Sequence, residues 1–340
     1  MVDLFFVLSG FVLARSMLAT RTAKDVVRFS TMRVRRFMPL HLAGVGIAFA
    51  CVLLTLILQQ VDFSNAPHRP AFTTEQETFT GWLSAVLLVQ GFIGPHFAGY
   101  AAAWSLSIEL WTNILLVVAI ALIPWGRRKQ WVGPVAMVLG AIILFIAPES
   151  GENSMGWTAF GRGLTGLGTG MVVYWVYTAT MSRGIGAVIG SGTVAPAGAT
   201  RVTTAPNRSL RWASIGGLIG LLAIPVVMYF SRDLHFLHFT PIMMVGAFLI
   251  FFLAHPVNGP AHRFLNSRIA QWLGSRSFAL YALHASVLTA VQLAARLTGV
   301  NMHAPAVATA IIVTTLVASL LAAEFGHRFI ERLLVPKKSG

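Results

Sequence analysis

Charge is what this 340-residue chain is short of. Charged residues make up 11% of it against 56% hydrophobic, whereas a soluble domain carries roughly 25% charge. So few charges cannot coat a surface that faces water, which excludes a soluble globular protein of this size. Acids are the scarcer sign, 11 Asp and Glu against 25 Lys and Arg. Cys51 is the one cysteine, so there is no intrachain disulfide framework, and its apolar neighbours mark an inert core thiol. No Cys/His spacing of a metal site, Walker loop, dinucleotide glycine motif or Gly-x-Ser-x-Gly elbow occurs. The first residues lack the basic stretch and cleavage site of a secretory leader. No internal repeat is found, which counts against a transporter built from duplicated halves.

What is there is a series of long apolar runs. About 20 apolar residues cross a bilayer core as helix. Such runs occur near 2–20, 38–58, 101–125, 131–148, 158–180, 212–231, 238–255, 270–296 and 305–327. A further run, 81–93, is shorter and is followed by Gly94, Pro95 and Gly99. It reads as re-entrant or interfacial, since irregular backbone at membrane depth needs protein or water around it. The expected fold is all-α, a polytopic membrane helix bundle with about nine transmembrane helices plus one re-entrant or interfacial segment.

Orientation follows from Lys and Arg in the loops. One set of alternate loops holds Arg21, Lys24, Arg28, Arg33, Arg35 and Arg36, then Arg127, Arg128 and Lys129, and continues through Arg183, Arg201, Arg208 and Arg211. The same set includes Arg263, Arg268, Arg276, Arg328, Arg332, Lys337 and Lys338, while the other loops hold only Arg69, Arg232 and Arg296. The asymmetry places the N-terminus outside and the C-terminus in the cytoplasm. It also accounts for the formal charge of +14 without nucleic acid as a partner. Segment 180–211, rich in Gly, Ser, Thr, Ala and Pro, reads as a flexible cytoplasmic linker, and 331–340 as a cytoplasmic tail.

Ionisable groups at membrane depth cost a few kcal/mol or more unless paired or hydrated, so each is a functional candidate. Asp3 stands at the outer end of the first span, where a helix-capping role is the alternative. Ser9 and Gly10 in that span permit close helix packing. Glu109 lies inside its span in Trp104-Ser105-Leu106-Ser107-Ile108-Glu109. Ser105 is four residues before it, on the same helix face, and Trp104 and Ser107 flank it. Arg162 enters its span from the same side as Glu109, so the two are candidates to pair, against a snorkelling alternative. Arg15, nearer a cytoplasmic end, is best explained by snorkelling. His284 sits mid-span with Tyr281 three residues earlier on one face; the residues alone also admit a satisfied core histidine. His41 and Glu324 are weaker candidates, since Glu324 can pair with Arg328 at i+4. The cluster Arg28…Arg33-Val34-Arg35-Arg36-Phe37-Met38-Pro39 either enforces topology and holds anionic lipid or docks a phosphorylated cytosolic substrate, because Arg forks match phosphate.

Taken together, these segments resemble the acyltransferase-3 family of multi-spanning membrane O-acyltransferases. Asp3-Leu4-Phe5-Phe6-Val7-Leu8-Ser9-Gly10-Phe11 is similar to the family's most recognisable stretch. Arg33…Arg36-Phe37-Met38-Pro39-Leu40 resembles its Arg-rich, Pro-ended motif, and Trp104 to Glu109 its Trp-Ser-Leu-Ser-x-Glu motif. Tyr281…His284 resembles a later Tyr-Leu-x-His, and Ile330-Glu331-Arg332 the final Ile-Glu-Arg-Pro. Departures are His41 near where an aromatic is usual, Thr112-Asn113 after the Glu motif, and Leu333 for the last Pro. The chain starts inside the family pattern. The resemblance implies a further helix upstream, bearing an Arg and a His central to catalysis and placing the N-terminus of a complete member in the cytoplasm.

What the resemblance implies is one acyltransferase-3-like membrane domain over 1–330 in the bacterial inner membrane. It would move an acyl group, expected to be acetyl, from cytoplasmic acyl-CoA to a hydroxyl of an extracytoplasmic glycan or lipid-linked sugar. Glu109, His284 and Asp3 are then the catalytic candidates, and Arg33 and Arg36 the acyl-CoA-binding ones. Trp104, Ser105, Ser107, Arg162 and Tyr281 form an acceptor-side polar cluster. No metal or bound cofactor is expected; acyl-CoA, expected as acetyl-CoA, is a co-substrate, and the other partners are the acceptor and membrane lipids. The rival readings are an exporter or flippase of glycan or lipid precursors, and an inactive truncated fragment.

Overall fold

The computed structural model describes residues 2–61, 79–93, 103–124, 126–147, 156–190, parts of 215–230, 239–255, 260–302 and 304–331. All regular structure among them is helical, as backbone in hydrocarbon demands, because a helix satisfies its polar groups internally. The elements are α1 (Val2–Leu18), α2 (Ala23–Gln60), α3 (Phe79–Val86), α4 (Trp104–Leu122) and α5 (Val132–Ile146). They continue with α6 (Trp157–Gly190), α7 (Phe239–Ala254), α8 (Pro260–Leu265), α9 (Arg268–Leu297) and α10 (Pro305–Phe325), which runs into a π-helical turn at Gly326–Glu331.

Among the described residues, five helical stretches are long and apolar enough to cross a membrane: Ala23–Gln60, Trp104–Leu122, Lys129–Ile146, Arg268–Leu297 and Pro305–Ile330. The runs expected at 2–20, 158–180 and 238–255 are α1, α6 and α7; the one at 212–231 lies partly outside the described residues. The distribution of side chains is that of a membrane protein. Val135, Leu139, Ile142 and Phe145 lie exposed along α5, while Asp3, Arg33, His41, Glu109 and Arg162 are buried. The fold is therefore a polytopic membrane helix bundle.

Two local features differ from the sequence expectation. Residues 180–190, read as the start of a linker, continue α6; 191–211 and the tail beyond 331 lie outside the described residues. The arginine cluster before residue 38 belongs to the same continuous helix as the span after it, with Pro39 inside α2. One proline removes a single amide donor, a loss that transmembrane helices tolerate. At 38 residues and 1.5 Å per residue, α2 is about 57 Å long, so its N-terminal half extends beyond a bilayer core of about 30 Å.

The helices group into two compact units, Met1–Phe29 with Thr112–Ser267 and Ser30–Trp111 with Arg268–Gly340. In the first, α6 packs against α1, α5 and α7, and α1 also packs on α7. Glycine sets the approach of α1 to α6: a Cβ on Gly10 would collide with the Leu167 backbone, and one on Gly170 with Val7. Ala14, Met17, Leu116, Ile120, Ala136, Leu167 and Met171 fill the core around these contacts.

In the second unit, α9 packs along α10, and Ser286 Oγ on α9 donates to the Gly44 carbonyl on α2 at 2.7 Å. The segment expected to be re-entrant is broken here. Eight-residue α3 covers about 12 Å, too little to cross. It is followed by turns and by Leu88, buried at φ 55. Side chains from α2 and α4 satisfy the freed backbone. His41 Nε2 donates to the Ala85 carbonyl at 2.6 Å, Trp111 Nε1 to the Leu88 carbonyl at 2.9 Å, and Ser107 Oγ accepts the Gly91 amide at 3.2 Å.

Candidate active site

The start of α4 and the middle of α9 bring polar side chains together in the second unit. Ser105 and Glu109, one helical turn apart, are 0% and 2% exposed. Ser105 shares a hydrogen bond with the phenolic hydroxyl of Tyr281. One turn along α9, His284 Nδ1 lies 2.8 Å from the Tyr281 carbonyl. A carbonyl only accepts, so Nδ1 is the donor in this contact. The Tyr281 and His284 rings are 5.7 Å apart, and both line a groove of about 750 Å³ between α9 and α10.

The two arginines expected at the donor end are not equivalent. Arg33 is 8% exposed and feels the opposite charge of Glu109; two charges out of water interact far more strongly than a surface pair. Arg36 is exposed, with its guanidinium 5.8 Å from the centroid of the Phe278 ring, a cation–π contact that leaves its hydrogen-bonding edge accessible. Trp104 and Ser107, expected in the acceptor cluster, face the interrupted segment. Ser107 holds the Gly91 amide, and the Trp104 carbonyl lies so close to Gly91 that a Cβ there would come within 2.7 Å of it.

Asp3 and Arg162 meet in the first unit. Arg162 Nε donates to one carboxylate oxygen of Asp3 at 2.9 Å and Nη2 to the other at 3.0 Å. Both side chains are buried. A two-pronged fork of this kind combines charge with directional hydrogen bonds. It ties the N-terminal end of α1 to α6 and engages both oxygens of the carboxylate.

Glu324 pairs with Arg328 at i+4, as its spacing suggests, and also with Arg276 on α9, a partner that no spacing in the sequence reveals. His41, a weak candidate by sequence, is fully buried and serves the Ala85 carbonyl. Among the described residues no group of three His, Cys, Asp or Glu side chains could hold a metal ion.

Ionisable side chains turned inward from apolar-faced helices mark an integral membrane protein. A family model described as an acyltransferase domain matches residues 1–324; the chain belongs to the acyltransferase-3 family and is a membrane acyltransferase. No curated protein and no solved structure matches it significantly.

Proposed function

We propose that this acyltransferase works on oxygen, moving an acyl group from cytoplasmic acyl-CoA to a hydroxyl of an extracytoplasmic glycan or lipid-linked sugar. In this reading it lies in the bacterial inner membrane with its C-terminus in the cytoplasm. The donor expected from the family resemblance is acetyl-CoA.

The observation that carries the proposal is the arrangement in the second unit, where His284 lines a groove with its Nδ1 bonded to the Tyr281 carbonyl and the Tyr281 hydroxyl shares a hydrogen bond with Ser105. The acceptor hydroxyl attacks the thioester carbonyl, a C–O bond forms and the C–S bond breaks. His284 Nε2 takes the hydroxyl proton and returns it to the departing CoA thiolate, a general-base role. In this reading Tyr281 donates to the oxyanion that develops on the carbonyl. Glu109 and Arg33 keep the charge of the α2–α4 side of the unit balanced, and exposed Arg36 offers a fork to CoA phosphates. Asp3 and Arg162 are assigned a positioning role through their mutual bond.

The test uses membrane vesicles containing the full chain, labelled acetyl-CoA supplied on the cytoplasmic face, and mass spectrometry of surface glycans with and without the gene. Label on an extracytoplasmic product is expected. Export of unlabelled glycan with no label transferred would favour an exporter instead.

A further inference from the structure

The end of α4 and the approach to α5 form a recess in the first unit. It has a volume of about 360 Å³ and is lined by Arg21, Ala121, Leu122, Ile123, Pro124 and Lys129. That size is at the small end of the range for small-molecule sites. Two of the lining residues are basic and none is acidic. Arg21 comes from the link between α1 and α2, and Lys129 from the short helical turn Arg127–Trp131 that leads into α5.

Lys129 is buried, and its Nζ donates to the Thr20 carbonyl. A neutral carbonyl holds an ammonium in place without cancelling its charge. Arg21 is exposed. Asp25 attracts it, but that carboxylate accepts the Arg21 and Thr22 amides and the Thr22 hydroxyl and does not line the recess. One acid beside two bases leaves an excess of positive charge. The recess also has a defined depth. The apolar stretches Trp104–Leu122 and Lys129–Ile146 end and begin beside it. Trp131, two residues past Lys129, is 59% exposed, and an exposed indole at the end of a span marks the headgroup level. Leu122 and Val135 continue outward as exposed apolar side chains.

We propose that this recess binds the phosphate of an anionic glycerophospholipid. Arg21 and Lys129 flank the phosphate, and the acyl chains descend over Leu122 and Trp131 into the bilayer. A guanidinium fork matches phosphate oxygens, and the ammonium adds a fixed point charge. Basic recesses between spanning helices hold anionic headgroups in this way. Charge selects the phosphate, and the depth beside Trp131 selects one carried by a lipid over a soluble one. In the orientation proposed above the lipid belongs to the cytoplasmic leaflet. The inference stands apart from the acyl-transfer reaction. Its rival is that the two bases only complement the carbonyl ends of α1 and α4, which gives no preference for phosphate.

The full chain is placed in phosphatidylcholine nanodiscs with a rising fraction of phosphatidylglycerol that carries a photoreactive diazirine close to its glycerol. Salt is kept at about 0.15 M, where exposed charges away from the site are screened. Cross-linked peptides are mapped by mass spectrometry. Arg21→Gln removes the fork and keeps the backbone amide that Asp25 accepts. Lys24→Gln removes an equal charge nearby, on an exposed residue outside the recess. Lys129 is left in place because it also holds Thr20. Label should concentrate on Leu122 and on 131–135. Arg21→Gln should raise the phosphatidylglycerol fraction at half-saturation about tenfold, the size of one lost charged hydrogen bond, and Lys24→Gln should leave it unchanged. Equal effects from the two variants, or label spread over all basic loops, would reduce the site to diffuse attraction and overturn the proposal. Unchanged labelling in Arg21→Gln would return the pair to helix-end contacts. Excess inorganic phosphate should not displace the label; displacement would assign the site to a soluble phosphate and overturn the lipid as occupant.

Discussion

The hydroxyls of Ser105 and Tyr281, 176 residues apart in sequence, share one hydrogen bond. Through it the first turn of α4 is held to the turn of α9 that carries His284. Ser105 has no solvent exposure, so Tyr281→Phe strands a buried hydroxyl at a cost of about 1–3 kcal/mol. Ser105→Ala should cost less, because Tyr281 borders the groove. The double variant should destabilise by less than the two single changes added together, as coupled groups do. Thermal unfolding of the four proteins in one detergent checks this, and strict additivity would mean the bond contributes nothing.

Glu109→Gln is expected to abolish acyl transfer while the protein stays folded and monodisperse. Arg33 then loses its compensating charge, so the variant should also be less stable. Adding Arg33→Met should restore stability and leave activity absent. Turnover retained in Glu109→Gln would take Glu109 out of the mechanism.

Asp3→Asn leaves the buried guanidinium of Arg162 facing a neutral partner. Breaking a buried pair from one side costs about 3–5 kcal/mol. Replacing both residues with leucine should recover most of that loss, because desolvated pairs often do no better than apolar ones. Chemical unfolding of the two variants distinguishes a structural tie from an inert contact; a silent Asp3→Asn would show that the fork carries no stability.

Arg36→Ala should weaken acyl-CoA binding on the order of tenfold, the size of one lost charged hydrogen bond, with no change in unfolding temperature. Arg33→Ala should lower that temperature. Isothermal titration with a non-hydrolysable acyl-CoA analogue, alongside melting curves, separates the two. Equal effects from both would return the pair to a topological role.

The start of α2 is closed by a reciprocal cap. Asp25 accepts the backbone amides of Arg21 and Thr22 at 3.1 and 2.9 Å, and Thr22 Oγ1 accepts the Asp25 amide at 3.2 Å. The Arg21 amide first, then the Thr22 hydroxyl and amide, hold the Asp25 carboxyl below the usual aspartate range. A depressed carboxylate pKa stabilises the folded end at pH above the unfolded value, and that contribution is lost as pH falls through the folded one. Hydrogen-exchange protection at Arg21 and Thr22 should therefore hold at neutral pH and fall in acid below the ordinary aspartate range. Asp25→Asn should remove the acid-dependent part of that protection.

Several features were legible residue by residue. The interruption of 81–93 could be read from Gly94, Pro95 and Gly99, and close packing at Ser9-Gly10 from their small size. The shared faces of Ser105 with Glu109, Tyr281 with His284 and Glu324 with Arg328 all follow from helical spacing. Other partners were not legible. Nothing local joins Arg276 to Glu324, Asp3 to Arg162, or His41 to the Ala85 carbonyl, and sequence alone treats Arg33 and Arg36 as one cluster.

The amino-acid sequence by itself determined the membrane class, the helical fold and the acyltransferase-3 family, because hydropathy, 3.6-residue periodicity and short motifs are properties of neighbouring residues. Only the tertiary structure decided which carboxylate meets which guanidinium, which arginine is buried, and that Tyr281, His284, Thr315 and Ser319 border one groove. Those outcomes depend on the rotation and separation of packed helices. Interaxial distances of 8–10 Å bring one chosen stripe of each helix into contact, and no stretch of adjacent residues encodes that choice.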